Sequence, residues 1–142
     1  GGATPQLGFM TLESSRPGAP SGGTAPLAIL DAAALARLRE LDPDGRHGVL
    51  TRVLAAFETS LARMLVQLRA ELDAGDPGVV AGVAHTLKSS SASVGALALA
   101  ASCAAVERRL RSGAPGDLHA DVERLVSDGE AALRAVGAML RP

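Results

Sequence analysis

Between Leu50 and Leu72 the chain sets Leu50, Val53, Leu54, Phe57, Leu61, Met64, Leu65, Leu68 and Leu72 three or four residues apart. At about 100° per residue that spacing gathers all nine on one side of an α-helix of roughly six turns. An apolar stripe of that length must be covered by other elements along its whole extent. Composition says which kind. Of 142 residues 47% are hydrophobic, yet only two are Phe and none is Tyr or Trp. The core must therefore be made of Leu, Val and Ala, which favours closely packed helices over a sheet, where β-branched and aromatic residues are enriched.

The rest of the chain supplies the covering helices. Asp31 is a suitable N-cap for a first helix, with Leu30 and Leu35 placed as a hydrophobic staple and Leu38 and Leu41 continuing the apolar side. Asp42-Pro43-Asp44-Gly45 should end it. Gly75-Asp76-Pro77 reads as a turn followed by a helix start, with Asp76 as N-cap and Pro77 at the first helical position. That third helix should turn or kink between Ser91 and Gly95. A fourth runs through Leu97, Cys103, Val106 and Leu110 to a stop at Ser112-Gly113-Ala114-Pro115-Gly116, and a fifth carries Leu118, Val122, Leu125, Val126, Leu133, Val136 and Leu140 on one stripe. Four long amphipathic helices joined by short turns predict an all-α antiparallel four-helix bundle with an additional short N-terminal helix. The helical domain is expected over residues 27–142. Residues 1–26, rich in Gly, Pro, Ser, Thr and Ala, read as a flexible linker or leader, such as would precede a domain within a larger protein.

A formal charge of -1 and the lack of aromatic platforms argue against nucleic-acid binding. No apolar run approaches the roughly 20 residues that span a bilayer, and no signal-peptide pattern opens the chain, so this segment is expected to make no membrane contact and to be cytoplasmic. The single cysteine, Cys103, lies in a helix-interior context and reads as a buried reduced thiol.

The third helix carries the chemistry. Val80, Val83, Ala84, Leu87 and Ser91 share one side, and His85 lies roughly 140° from their mean direction, facing solvent. Lys88 falls three residues on, at the flank, and Ser89 four residues on, on the exposed side. Around His85 the wheel places Gly78, Ala81, Gly82, Ser89 and Ala92, none with a side chain long enough to shield the imidazole. Each helix-interior glycine costs roughly 1 kcal/mol relative to alanine, so Gly78 and Gly82 on this surface call for a reason, and close approach by another protein is one. A neutral imidazole is a competent nucleophile near neutral pH. Lys88 could offset charge on phosphoryl oxygens and Ser89 could add a hydrogen bond. An exposed helical histidine is also compatible with a plain solvated surface.

The run Ala84-His85-Thr86-Leu87-Lys88-Ser89-Ser90-Ser91, followed by Val94-Gly95-Ala96, resembles the signature of histidine-containing phosphotransfer (Hpt) domains, a histidine followed by Leu-Lys-Gly-Ser-Ser and then Leu-Gly-Ala. The resemblance implies a phosphorelay carrier of two-component signalling. In it His85 takes a phosphoryl group on its ε2 nitrogen from a receiver-domain aspartate and passes it to another receiver. It also implies that Lys88 and Gly95 match the family lysine and glycine, and that Glu107 stands where the family commonly has Glu or Gln near the histidine. Ser89 departs from the pattern, which usually has glycine there. No ATP-binding domain and no cofactor of its own are implied; Mg2+ is expected on the partner receiver. The expected partners are response-regulator receiver domains, with a hybrid sensor kinase in cis as one source of the chain, and the protein is expected to be monomeric.

Two other readings compete. One is the dimerisation and phosphoacceptor domain of a histidine kinase, where an acidic residue typically follows the histidine instead of Thr86. The other is a helical adaptor that is not phosphorylated. His47 and His119 read as surface or capping-region residues, and Arg108, Arg109 and Arg111 as a solvated helix face that could also assist docking to an acidic surface.

Overall fold

Five helices follow one another in the order the sequence suggests: α1 (Ala32–Glu40), α2 (Val49–Ala74), α3 (Pro77–Ser93), α4 (Leu97–Ser112) and α5 (Leu118–Leu140). They come from a computed structural model that describes residues 29–113 and 117–142. The linker assigned to residues 1–26 lies outside the described residues, as do Ala114, Pro115 and Gly116 of the stop after α4. Among the described residues there is no strand, and no helix is long and apolar enough to cross a membrane.

The four long helices form an antiparallel ring in which each packs on the next and α5 closes back on α2. The α2 stripe buries Leu54, Phe57, Leu61, Met64, Leu65 and Leu68. Opposite them lie Val80, Ala84 and Leu87 of α3, Leu99, Cys103 and Val106 of α4, and Val122, Leu125 and Val136 of α5. Helices α2 and α5 approach closely at Gly129, where a Cβ would stand 2.6 Å from Leu65 Cδ2. Arg69–Glu130 (2.7 Å) and Glu58–Arg141 add ion pairs across the same seam. By contrast α2 and α3 meet along a shorter length and leave a groove between them.

Helix starts obey their caps. Asp31 accepts from Ala34 N–H, Asp76 from Gly78 and Val79 N–H, and Asp117 from Ala120 N–H. Leu30 and Leu35 are both buried, as the staple requires. Helix α2 differs, since its N-cap is Gly48, which has no side chain. Asp42 substitutes from across the loop: its buried carboxylate accepts from the backbone N–H of His47 and Val49. That inward turn of Asp42 corrects the reading of Leu41, which is the C-cap of α1 and 69% exposed.

The turn between α3 and α4 is later and shorter than expected, with α3 continuing to Ser93. Within that last stretch the Ser90 and Ser93 hydroxyls donate back to carbonyls of the preceding turn, so both are satisfied without leaving the helix. Gly95 then takes φ +82°, and a Cβ there would stand 2.8 Å from Asp31 N and 2.9 Å from Ala34 Cβ. The Asp31 N–H donates to Gly95 carbonyl oxygen at 2.8 Å. This glycine is needed because the start of α1 lies directly on it.

Candidate functional site

His85 projects from the middle of α3 with its side chain 78% exposed, opposite the buried side formed by Val80, Val83, Ala84, Leu87 and Ser91. The antiparallel neighbour α4 brings Glu107 up beside it. Glu107 Oε2 lies 3.0 Å from His85 Nδ1, and its other oxygen, Oε1, lies 2.5 Å from Lys88 Nζ. Oε1 receives no hydrogen bond of good angle, so Lys88 meets it as an ion pair. The carboxylate is only 12% exposed, whereas Lys88 is 43% exposed. One acidic group, held on α4, thus bridges the histidine and the lysine of α3.

The protonation states follow from these partners. The Lys88 ammonium first, and the His85 ring second, hold the Glu107 carboxyl below the ordinary carboxylate range, against the opposing effect of its burial. An ionised carboxylate only accepts hydrogen bonds, so His85 Nδ1 is the nitrogen that carries hydrogen. In the neutral ring the lone pair then sits on Nε2. Nε2 has no partner among the described residues and faces solvent on the exposed side of α3.

The surroundings of the ring are low. Gly78, Gly82, Ser89 and Ala92 are exposed and Ala81 is half-buried. Gly78 has a local role, since a Cβ there would stand 3.3 Å from the capping Asp76 Oδ1. Gly82 has none: a Cβ would meet nothing within 4 Å. Beside this face the α2–α3 groove, of about 350 Å3, is lined by Arg63, Met64 and Gln67 of α2 and by Gly78, Val79, Gly82, Val83 and Thr86 of α3. The α2 side of that groove was not read from the sequence. Arg63 and Gln67, one turn apart on the polar side of α2, gave no signal there of which helix they would face.

Other residues take structural roles. Cys103 is fully buried, and burial, reinforced by the Glu107 charge, pushes its thiol up to about 12, so it stays protonated and inert. His119 closes the end of α2, its Nδ1 donating to Leu72 carbonyl oxygen at 3.1 Å. His47 contributes its backbone N–H to Asp42. Arg108 and Arg111 are exposed, but Arg109 is not part of a solvated face: it pairs with Asp121 of α5.

Comparison with known proteins now decides the family. The Hpt domain profile matches residues 52–138, most of the bundle and all of the site. The chain belongs to the Hpt domain family. Histidine-containing phosphotransfer protein B from Pseudomonas aeruginosa PAO1 is similar in structure, with a TM-score of 0.67 at 26% identity over 80% of this chain and 95% of that one. A rice chain solved as a candidate histidine-containing phosphotransfer protein gives a TM-score of 0.67 at 19% identity, covering 84% of each chain, and shows the shared fold. Comparison with curated protein sequences gave no match. As an Hpt domain the chain is a phosphorelay carrier of two-component signalling that works with receiver domains; Hpt proteins are phosphotransfer carriers, not kinases with ATP-binding domains. The histidine-kinase dimerisation reading gives way to this assignment.

Proposed function

We propose that His85 is the phosphoacceptor of this Hpt domain and that Nε2 is the atom that carries the group. The observation that supports this most is the Glu107 contact, which occupies Nδ1 and turns the free lone pair of Nε2 outward. In the transfer, the Nε2 lone pair forms a bond to phosphorus while the bond from phosphorus to the receiver's aspartyl oxygen breaks, and the aspartate leaves as a carboxylate with that electron pair. The hydrogen stays on Nδ1, hydrogen-bonded to the Glu107 carboxylate, throughout, so no proton has to move. Passing the group on to a second receiver is the same step reversed. Positioning and charge stabilisation are the main demands of such a transfer. Lys88, close to the ring through the shared carboxylate, supplies a positive charge for the phosphoryl oxygens, and Ser89 a hydroxyl.

Gly78, Ala81, Gly82 and Ala92 form the surface on which the receiver settles, and the α2–α3 groove, with exposed Val79, extends it. The Mg2+ that assists the transfer sits in this reading on the receiver. The domain acts as a monomer in the cytoplasm, either free-standing or as a module of a hybrid sensor kinase. Incubation with a panel of phosphorylated receiver domains tests the assignment. Acid-labile, base-stable label is expected on the wild type and not on His85→Gln; label retained by a folded His85→Gln protein would reject it, and no label from any receiver would favour an unphosphorylated adaptor.

A further inference from the structure

The residues ahead of the bundle carry one feature that a linker does not need. Leu7, Phe9, Met10 and Leu12 put large apolar side chains into one short run, and Phe9 is one of only two Phe in the chain; the other, Phe57, is in the core. From Glu13 to Pro26 no further Leu, Ile, Val, Phe or Met occurs, and everything except Glu13 and Arg16 is Gly, Pro, Ser, Thr or Ala. A run this short cannot bury itself, but it suits a groove on a folded surface.

The bundle offers a groove that fits. Between α2 and α3, Met64 and Val83 line a hollow of about 350 Å3, with Val79, 36% exposed, beside them. A Cβ on Gly82 would meet nothing within 4 Å, so an incoming backbone can lie close against α3 there. Arg63, at the same groove, has no carboxylate partner among the described residues. Glu13, which directly follows the apolar run, is the only acid in residues 1–30. By contrast the hollow between the end of α1 and the start of α2 is lined by Arg39, Asp42 and Asp44, and does not suit an apolar run.

The tether has the right reach. Asp31 N–H donates to Gly95 carbonyl oxygen, so the chain enters the bundle at the C-terminal end of α3. From Gly95 back to Gly82 is about 20 Å at 1.5 Å per residue. A chain with the composition and length of residues 13–28 spans about 20–24 Å on average. A tether whose average reach equals the distance to be bridged gives the highest effective concentration, in the millimolar range, so even a weak contact is populated.

We propose that the run Leu7–Leu12 docks in the α2–α3 groove of its own chain and shields it from receiver domains. The shielding rests on the reading of this face as the receiver's landing surface; the docking does not. A receiver has to displace the run before it settles over His85.

The full chain tests both halves. Cys103 is buried and its thiol protonated, so a nitroxide attached to Ser14→Cys labels one site. The label should broaden the amide signals of Gln67, Val79 and Gly82 more than those of Ala98 and Ala101 on α4. In Phe9→Ser/Met10→Ser that preference should be lost. Acceptance from a sub-saturating phosphorylated receiver should rise about threefold in Phe9→Ser/Met10→Ser without the label, the factor for a groove closed about two-thirds of the time. Equal broadening of groove and α4 amides, or a preference that survives Phe9→Ser/Met10→Ser, overturns the proposal. So does broadening of the groove amides by a spin-labelled second copy, which would put the run on a neighbouring molecule. Groove docking with unchanged acceptance overturns the shielding and leaves the His85 assignment standing. Groove docking in a protein that no receiver labels upholds the docking and removes the carrier assignment.

Discussion

Two exposed histidines of this bundle have opposite relations to the protein. At His119 both ring nitrogens face protein partners, Nδ1 the Leu72 carbonyl oxygen at 3.1 Å and Nε2 the Glu123 carboxylate of the same helix at 3.7 Å. At His85 only Nδ1 is engaged, and Nε2 is left to solvent. His119 therefore closes a helix end, where a donor near the last carbonyls is stabilising. His85 satisfies no backbone group. Its carboxylate partner comes from another helix and is shared with a lysine, an arrangement that fixes the ring's orientation and tautomer instead of the fold. Exposure alone did not separate the two residues; the fate of the second nitrogen does.

The widest test of that contrast is removal of each ring. His85→Gln should abolish phosphoryl acceptance with the fold intact by circular dichroism. His119→Ala should leave acceptance unchanged and lower the unfolding free energy by about 0.5–1 kcal/mol, measured in urea. Equal losses of acceptance in the two variants would erase the distinction.

Next in size is Glu107→Gln, which keeps an acceptor near Nδ1 but removes the charge. Acceptance should slow about tenfold, or about 1.4 kcal/mol, the scale of one charge-assisted hydrogen bond. The same substitution has a pH signature. The folded carboxyl titrates below its ordinary value of 4.5, so its contribution to stability is complete above about pH 4.5 and is lost as pH falls through the depressed folded value. The stability gap between wild type and Glu107→Gln should therefore be flat near neutrality and close on acidification. A gap that widens as the pH falls would contradict the ion-pair geometry.

Gly82→Ala sets stability against function. With open space around its Cβ, the variant should gain about 0.5–1 kcal/mol of helix stability. If a receiver settles on this surface, transfer should slow about fivefold, or about 1 kcal/mol. A more stable protein with undiminished transfer would remove Gly82 from the docking face. The smallest effect is expected at Ser89→Gly, where transfer should persist with its rate changed less than about threefold, under 0.7 kcal/mol. Loss of transfer there would make the hydroxyl essential.

What the sequence made legible was periodic or local. The five helices, the Asp31 and Asp76 caps, the Leu30–Leu35 staple and the outward aspect of His85 all depend on residues a few positions apart. Glu107 came into view only through the family resemblance, because nothing in the α4 pattern says which residue of α3 it will face. Asp42 was read as part of a turn, and its role is long-range: it caps a helix whose own N-cap is a bare glycine, and in turning inward it leaves Leu41 in solvent. Arg109 was grouped with two exposed arginines on spacing, but the neighbouring helix offers it Asp121. The groove beside the site needs two helices at once and had no single-helix signal.

The most direct test of the central claim is a two-dimensional proton–nitrogen NMR experiment on the His85 ring of the phosphorylated protein. Phosphorus on Nε2 with hydrogen on Nδ1 is the predicted result. Phosphorus on Nδ1, or on a residue other than His85, would contradict it.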